Sequence, residues 1–141
     1  MTLVSHLRFS GVLLILLGLA HARFGRYLNW RSDLAKLELV NRQIFLVHCF
    51  YIALFLVMMG LLCCLLPSSL LQPQPLSQAV LGGMTCVWGI RLLIQWTVFD
   101  RVLWRDHQVH RRIHYLLTLL WVYLTTVDGL SLARSLRPLL P

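Results

Sequence analysis

Ile44-Phe45-Leu46-Val47-His48-Cys49-Phe50-Tyr51-Ile52-Ala53-Leu54-Phe55-Leu56-Val57-Met58-Met59-Gly60-Leu61-Leu62-Cys63-Cys64-Leu65-Leu66 carries no formal charge, and His48 is its one imidazole. A run of this length and apolarity fits a helix that crosses a bilayer, which needs about 20 residues to span about 30 Å of hydrocarbon. Helix is the form required, because lipid offers no partners to exposed backbone groups. Three further apolar blocks flank it. One covers about 3–22 and is broken by His6 and Arg8; one covers about 76–99 and contains Arg91 and Gln95; one covers about 115–132 and contains Asp128. The fold class expected is all-α: one domain over residues 1–141, a bundle of four transmembrane helices at about 3–22, 44–66, 76–99 and 115–132.

Composition agrees. The chain is 58% hydrophobic and 13% charged, against about 25% charged in a soluble domain. The net charge of +8 could point to nucleic acid. Its Lys and Arg, however, lie between the apolar blocks, where cytoplasmic loops of membrane proteins collect them. The partners expected are the lipid bilayer, anionic headgroups at the basic loops, and a second membrane protein or copy of the chain; nucleic acid is not expected. Cys49, Cys63, Cys64 and Cys86 fall inside apolar blocks and form no CxxC pair, so they read as small hydrophobes and not as a disulfide framework or zinc ribbon.

The connections set the orientation. Residues 22–43 and 100–114 hold Arg23, Arg26, Arg31, Lys36, Arg42, Arg101, Arg105, Arg111 and Arg112, and the opposite side holds Arg8, Arg134 and Arg137. The positive-inside rule places both basic connections in the cytoplasm and both termini outside, in a bacterial cytoplasmic (inner) membrane. Short interfacial helical segments are expected in those loops; Ser32 would cap one, with Trp30, Leu34 and Leu37 on a shared face. Pro67–Pro75 reads as a tight turn. A rival reading takes Arg8, the apolar stretch and Ala20-His21-Ala22 as a secretory signal with an A-x-A cleavage site; it would put 23–43 outside, against the charge bias.

Polar residues inside spans are where function concentrates, since each is expensive in hydrocarbon. At about 1.5 Å per residue from the cytoplasmic end, Arg91 falls near the midplane with Tyr51 and Tyr123. His48 and Gln95 share a shallower level, and Asp128 lies deeper. Gln95 follows Arg91 by four residues, on one helix face. These six form a candidate ligand-binding set, with Arg91 holding an anionic or carbonyl group such as a quinone headgroup, a lipid phosphate or a small carboxylate. The structural alternative is a buried Arg91–Asp128 ion pair that fixes register. His107, His110 and His114 are spaced i, i+3, i+7, and with His21 and His48 they are the candidate ligands for a metal or haem. No hydrolase triad, phosphate loop, nucleotide fingerprint or HExxH is present, so an enzymatic role is left open. Gly82, Gly83 and Gly89 read as surfaces for close helix contact.

Asn41-Arg42-Gln43-Ile44-Phe45-Leu46-Val47-His48 and Trp88-Gly89-Ile90-Arg91-Leu92-Leu93-Ile94-Gln95-Trp96-Thr97-Val98-Phe99-Asp100, with their flanking helices, resemble small, uncharacterised four-span bacterial integral membrane proteins. That resemblance implies the topology and no activity. The Gly18-Leu19-Ala20-His21 ending of the first block and the helix count are similar to DoxX-type four-helix membrane proteins, some of which are quinone-linked redox subunits. Three functions follow as expectations: a non-catalytic accessory or lipid- or ligand-interacting component, a redox component holding haem or quinone, and a small transporter or anion-binding bundle.

Overall fold

A computed structural model describes residues 2–27, 30–99 and 108–137. Among them every regular element is a helix: α1 (Leu3–Tyr27), α2 (Trp30–Leu34), α3 (Leu39–Leu65), α4 (Pro67–Leu70), α5 (Pro75–Thr97) and α6 (Gln108–Leu136). Four of these, α1, α3, α5 and α6, are long and apolar enough to cross a membrane. They overrun the apolar blocks at several ends. Hydropathy marks where lipid begins; a helix continues through polar residues such as Gln43, Arg42 and Arg112 because they are tolerable helix formers. The breaks have local causes. Pro67 cannot continue α3, whose last amide bond is Leu66 N–H to Leu62 O at 3.0 Å. Pro75 opens α5 at a first-turn position where a missing N–H costs nothing.

The chain divides into two compact units, Ser5–Pro67 and Ser68–Pro141 with residues 1–4. In the first, α1 and α3 run antiparallel at backbone contact. A Cβ on Gly11 would lie 2.5 Å from Gly60 O, and one on Gly60 would lie 2.6 Å from Gly11 O. One heptad further on, a Cβ on Gly18 would lie 2.9 Å from Ala53 O. Only residues without side chains permit that approach. The Cys64 thiol adds a long contact to Arg8 O at 3.5 Å. The short helix α2 differs from expectation. Ser32 lies inside it and not at its cap, while Trp30 meets Phe45 edge-on and lies over Gly25, where an added Cβ would stand 3.3 Å from its ring.

In the second unit α5 and α6 are antiparallel too, joined by side chains. Gln78 Nε2 donates to Ser135 O at 3.0 Å, Trp88 Nε1 to Asp128 Oδ2 at 3.0 Å, and Gln95 Nε2 to His114 Nδ1 at 2.7 Å. The glycines singled out above are not the tight ones. A Cβ on Gly82 or Gly89 would meet Leu132 or Thr125 at an ordinary 3.9 Å, and one on Gly83 would find nothing within 4 Å.

Candidate functional site

The α5–α6 pair gathers the polar residues of its spans onto one seam. On α6, His114, Trp121, Asp128 and Ser135 recur every seven residues and are all buried. On α5, Leu81, Trp88 and Gln95 do the same. A seven-residue repeat keeps side chains facing one neighbour along a helix pair.

Gln95 is the hub of one end. Arg91 can only donate, so its Nη1 takes Gln95 Oε1 as acceptor at 3.1 Å. That fixes the amide, whose Nε2 then faces His114 Nδ1. An amide nitrogen only donates, so Nδ1 accepts and the ring carries its proton on Nε2. Gln95 is 1% exposed, and both ends of its amide are satisfied. The Arg91 guanidinium is half-buried, with its carbon 5.1 Å from the Trp121 ring centroid and 5.4 Å from that of Phe99. It reaches toward the C-terminal end of α5, as a long cationic side chain does when it carries its head toward the membrane surface.

The middle of the seam is different. Trp88 and Trp121 stack with centroids 5.8 Å apart and planes 15° from parallel. Asp128 is fully buried at 0% exposure. Its Oδ2 accepts the Trp88 indole, while its Oδ1 and the Trp121 Nε1 have no hydrogen-bond partner.

The structure therefore brings together Arg91 and Gln95, as the i, i+4 spacing implies, and adds His114, Trp121 and Phe99. It does not join Arg91 to Asp128. The one ion pair among the described residues is Lys36–Asp33, Asp128 is held by Trp88, and Arg91 turns the other way along α5. His48 and Tyr51 lie exposed on α3, Tyr51 at 62%. The His48 ring is turned back onto Ile44 O at 2.8 Å, and Gln95 has His114 where the depth argument expected His48. Tyr123 is half-buried on α6.

Of the metal or haem candidates, His107 lies outside the described residues. His21 donates Nδ1–H to Leu17 O at 2.9 Å, as His48 does to Ile44 O. Each ring is thus turned toward its own helix N-terminus, and on antiparallel helices those directions are opposite. His110 is half-buried and His114 is engaged by Gln95 and by the edge of Trp96. Among the described residues no three His, Cys, Asp or Glu side chains are grouped to hold a metal ion.

Trp88, three residues before Arg91, shares its face in the sequence, whereas Trp121 and Ser135 escaped the sequence reading of the site. The seven-residue spacing on α6 was the signal that could have found them. Comparison with family models, curated proteins and solved structures gives no match to this chain.

Proposed function

We propose that the chain is a non-catalytic component of the bacterial cytoplasmic membrane, with both termini outside, that binds an anionic headgroup or small carboxylate at Arg91. One observation carries this reading. The Arg91 guanidinium is bonded to a neutral amide and lies over two aromatic rings, and no described carboxylate stands within ion-pair distance. A cation in a spanning helix costs about 2.5–3.5 kcal/mol on insertion scales. An arginine kept there without a carboxylate, with a single hydrogen bond to Gln95, has its remaining donors to offer an anion. Its reach toward the end of α5, the end that carries the exposed Trp96, suits the level of lipid headgroups, where amphipathic aromatic rings also sit.

The test is retention of lipid by protein extracted in native bilayer discs, read by mass spectrometry, with phosphatidylglycerol and soluble acetate or phosphate as competing probes. Arg91→Gln should fold and lose about tenfold in retained anionic lipid, equivalent to about 1.4 kcal/mol. Arg91→Lys should restore it poorly, since an ammonium lacks the planar fork that matches a carboxylate or phosphate. Unchanged retention in a folded Arg91→Gln protein overturns the reading.

A further inference from the structure

The other half of the α5–α6 seam has the opposite chemistry. Trp88 stands 13 residues from Pro75 and nine from Thr97, about 20 Å and 14 Å along the helix, so its partner Asp128 lies deep in the span. From Asp128 toward the Pro75 end, α6 supplies Ser131 and Ser135 at i+3 and i+7, on the same face and both buried. The first turn of α5 supplies Ser77, buried, and Gln78, half-buried.

The three serine hydroxyl hydrogens are already committed. Ser131 Oγ donates to Val127 O at 2.7 Å, Ser135 Oγ to Leu132 O at 2.8 Å, and Ser77 Oγ to Ser69 O at 2.9 Å. Gln78 Nε2 donates to Ser135 O. What remains to the serines is oxygen lone pairs, and Gln78 keeps its amide oxygen and one N–H. The line ends on Asp128 Oδ1, fully buried and without a donor. A line of serine oxygens that terminates on an unpartnered carboxyl oxygen leaves a buried acceptor unmatched. Beyond it the chemistry inverts: the Trp88 and Trp121 indole N–H groups are donors, and Arg91 is a positive charge.

We propose that Asp128 is an intramembrane site for a small monovalent cation, hydronium or an alkali ion, reached from the Pro75 end of the α5–α6 seam through Ser77, Gln78, Ser135 and Ser131. One carboxylate balances one positive charge, and the flanking oxygens replace water around it. If the cation is hydronium, its proton forms an O–H bond at Oδ1 and water is released; the reverse step returns the proton to water. The stacked indoles and Arg91 close the path at the far end, so the site has access from one face. On the two helices of this seam, Arg91 and His114 meet at Gln95 beyond the indole stack, and Arg134, on α6 toward the Pro75 end, is exposed. This site is independent of the anion site proposed at Arg91.

The full chain, reconstituted in neutral-lipid discs, would be titrated with sodium or potassium against choline at constant ionic strength, and separately with pH. Two readouts serve: the infrared carboxyl bands and tryptophan emission, which senses the Trp88–Asp128 bond. We expect a saturable shift in wild type that Asp128→Asn abolishes, since Asn still accepts from Trp88 and carries no charge. Ser131→Ala should weaken the midpoint about threefold, the size of an average intramembrane hydrogen bond. Response to alkali ion assigns the site to that ion, and response to pH alone assigns it to hydronium. A wild-type protein that responds to neither, or a response that survives Asp128→Asn, overturns the proposal. Should Asp128→Asn fail to fold, the wild-type titration and Ser131→Ala decide.

Discussion

The two helix pairs solve one problem in opposite ways. Lipid tails are as apolar as leucine, so burial of apolar surface does not drive helices together in a membrane. The α1–α3 pair removes side chains: Gly11, Gly18 and Gly60 let backbone meet backbone, and dispersion over a close interface holds it. The α5–α6 pair keeps side chains and links them across the seam at Gln78, Trp88 and Gln95. The first arrangement places backbone, not charged side chains, at its closest contacts. The second concentrates Arg91, Gln95, His114 and Asp128 on one line, which is why both proposed sites fall there. A glycine seam is intolerant of added volume, whereas a polar seam is intolerant of lost partners, and substitutions can tell the two apart.

The largest effect should come from volume. Gly60→Leu must place a Cβ against Gly11 O, a backbone atom that moves only if the whole helix moves. The expected loss is about 3 kcal/mol, at the upper end for overpacking, measured as the shift in detergent-induced unfolding of the purified protein. Gly83→Leu on α5 should be tolerated, because nothing lies within 4 Å of its added carbon. Equal sensitivity at the two glycines would erase the distinction between the pairs.

Loss of a partner comes next. Asp128→Leu removes the acceptor of the Trp88 indole and should destabilise by about 1–3 kcal/mol. Asp128→Asn keeps an oxygen for that bond and should stay within about 0.5 kcal/mol, the range of a substitution that breaks no such feature. If Leu and Asn are equivalent in thermal unfolding, the Trp88–Asp128 bond does not hold the seam.

The contrast also explains what the amino-acid pattern could reveal. Spans are legible because hydropathy is a property of one segment, and Ile44–Leu66 announces itself. Arg91 with Gln95 is legible because i, i+4 neighbours belong to one helix. The partners of Gln95 and Asp128 depend on the register between two helices, which no single periodicity fixes. Depth counted from assumed loop ends set His48 level with Gln95, and the Arg91–Asp128 pair was the structural alternative for two charges in the spans. The observed α6 runs over Gln108–Leu136, so His114 lies within the helix and reaches Gln95. The glycine seam was missed because Gly11, Gly18 and Gly60 lie on two helices, far apart in sequence, while the adjacent Gly82-Gly83 pair draws the eye.

A smaller effect should separate the bonds around Gln95. A double-mutant cycle between Gln95→Leu and His114→Phe should give a coupling of about 0.6 kcal/mol, the average for intramembrane hydrogen bonds. A cycle between Gln95→Leu and Arg91→Met should be no larger, because the half-buried guanidinium can exchange its amide partner for lipid or water. A coupling of Arg91 well above that of His114 would make Gln95 a positioning residue for the guanidinium first.

The smallest effect is a matter of sign. Each pair buries serines completely, and their hydroxyls fare differently. Ser131 on α6 donates to Val127 O at 2.7 Å, whereas Ser10 Oγ on α1 has no partner. Removing a bonded hydroxyl forfeits a bond, and removing an unbonded buried one relieves a desolvation penalty. Ser131→Ala should therefore destabilise by about 0.5 kcal/mol. Ser10→Ala should be neutral or stabilise by up to about 1 kcal/mol, since the only opposing term is the small void left by one oxygen. Alanine is also the better helix former at both positions, so that contribution cancels when the two are compared in one unfolding assay. The difference between the variants isolates the hydroxyl environment. If Ser10→Ala destabilises as much as Ser131→Ala, the α1–α3 seam contains a hydrogen bond of its own, and the division into a backbone-packed pair and a polar-bonded pair fails at that position.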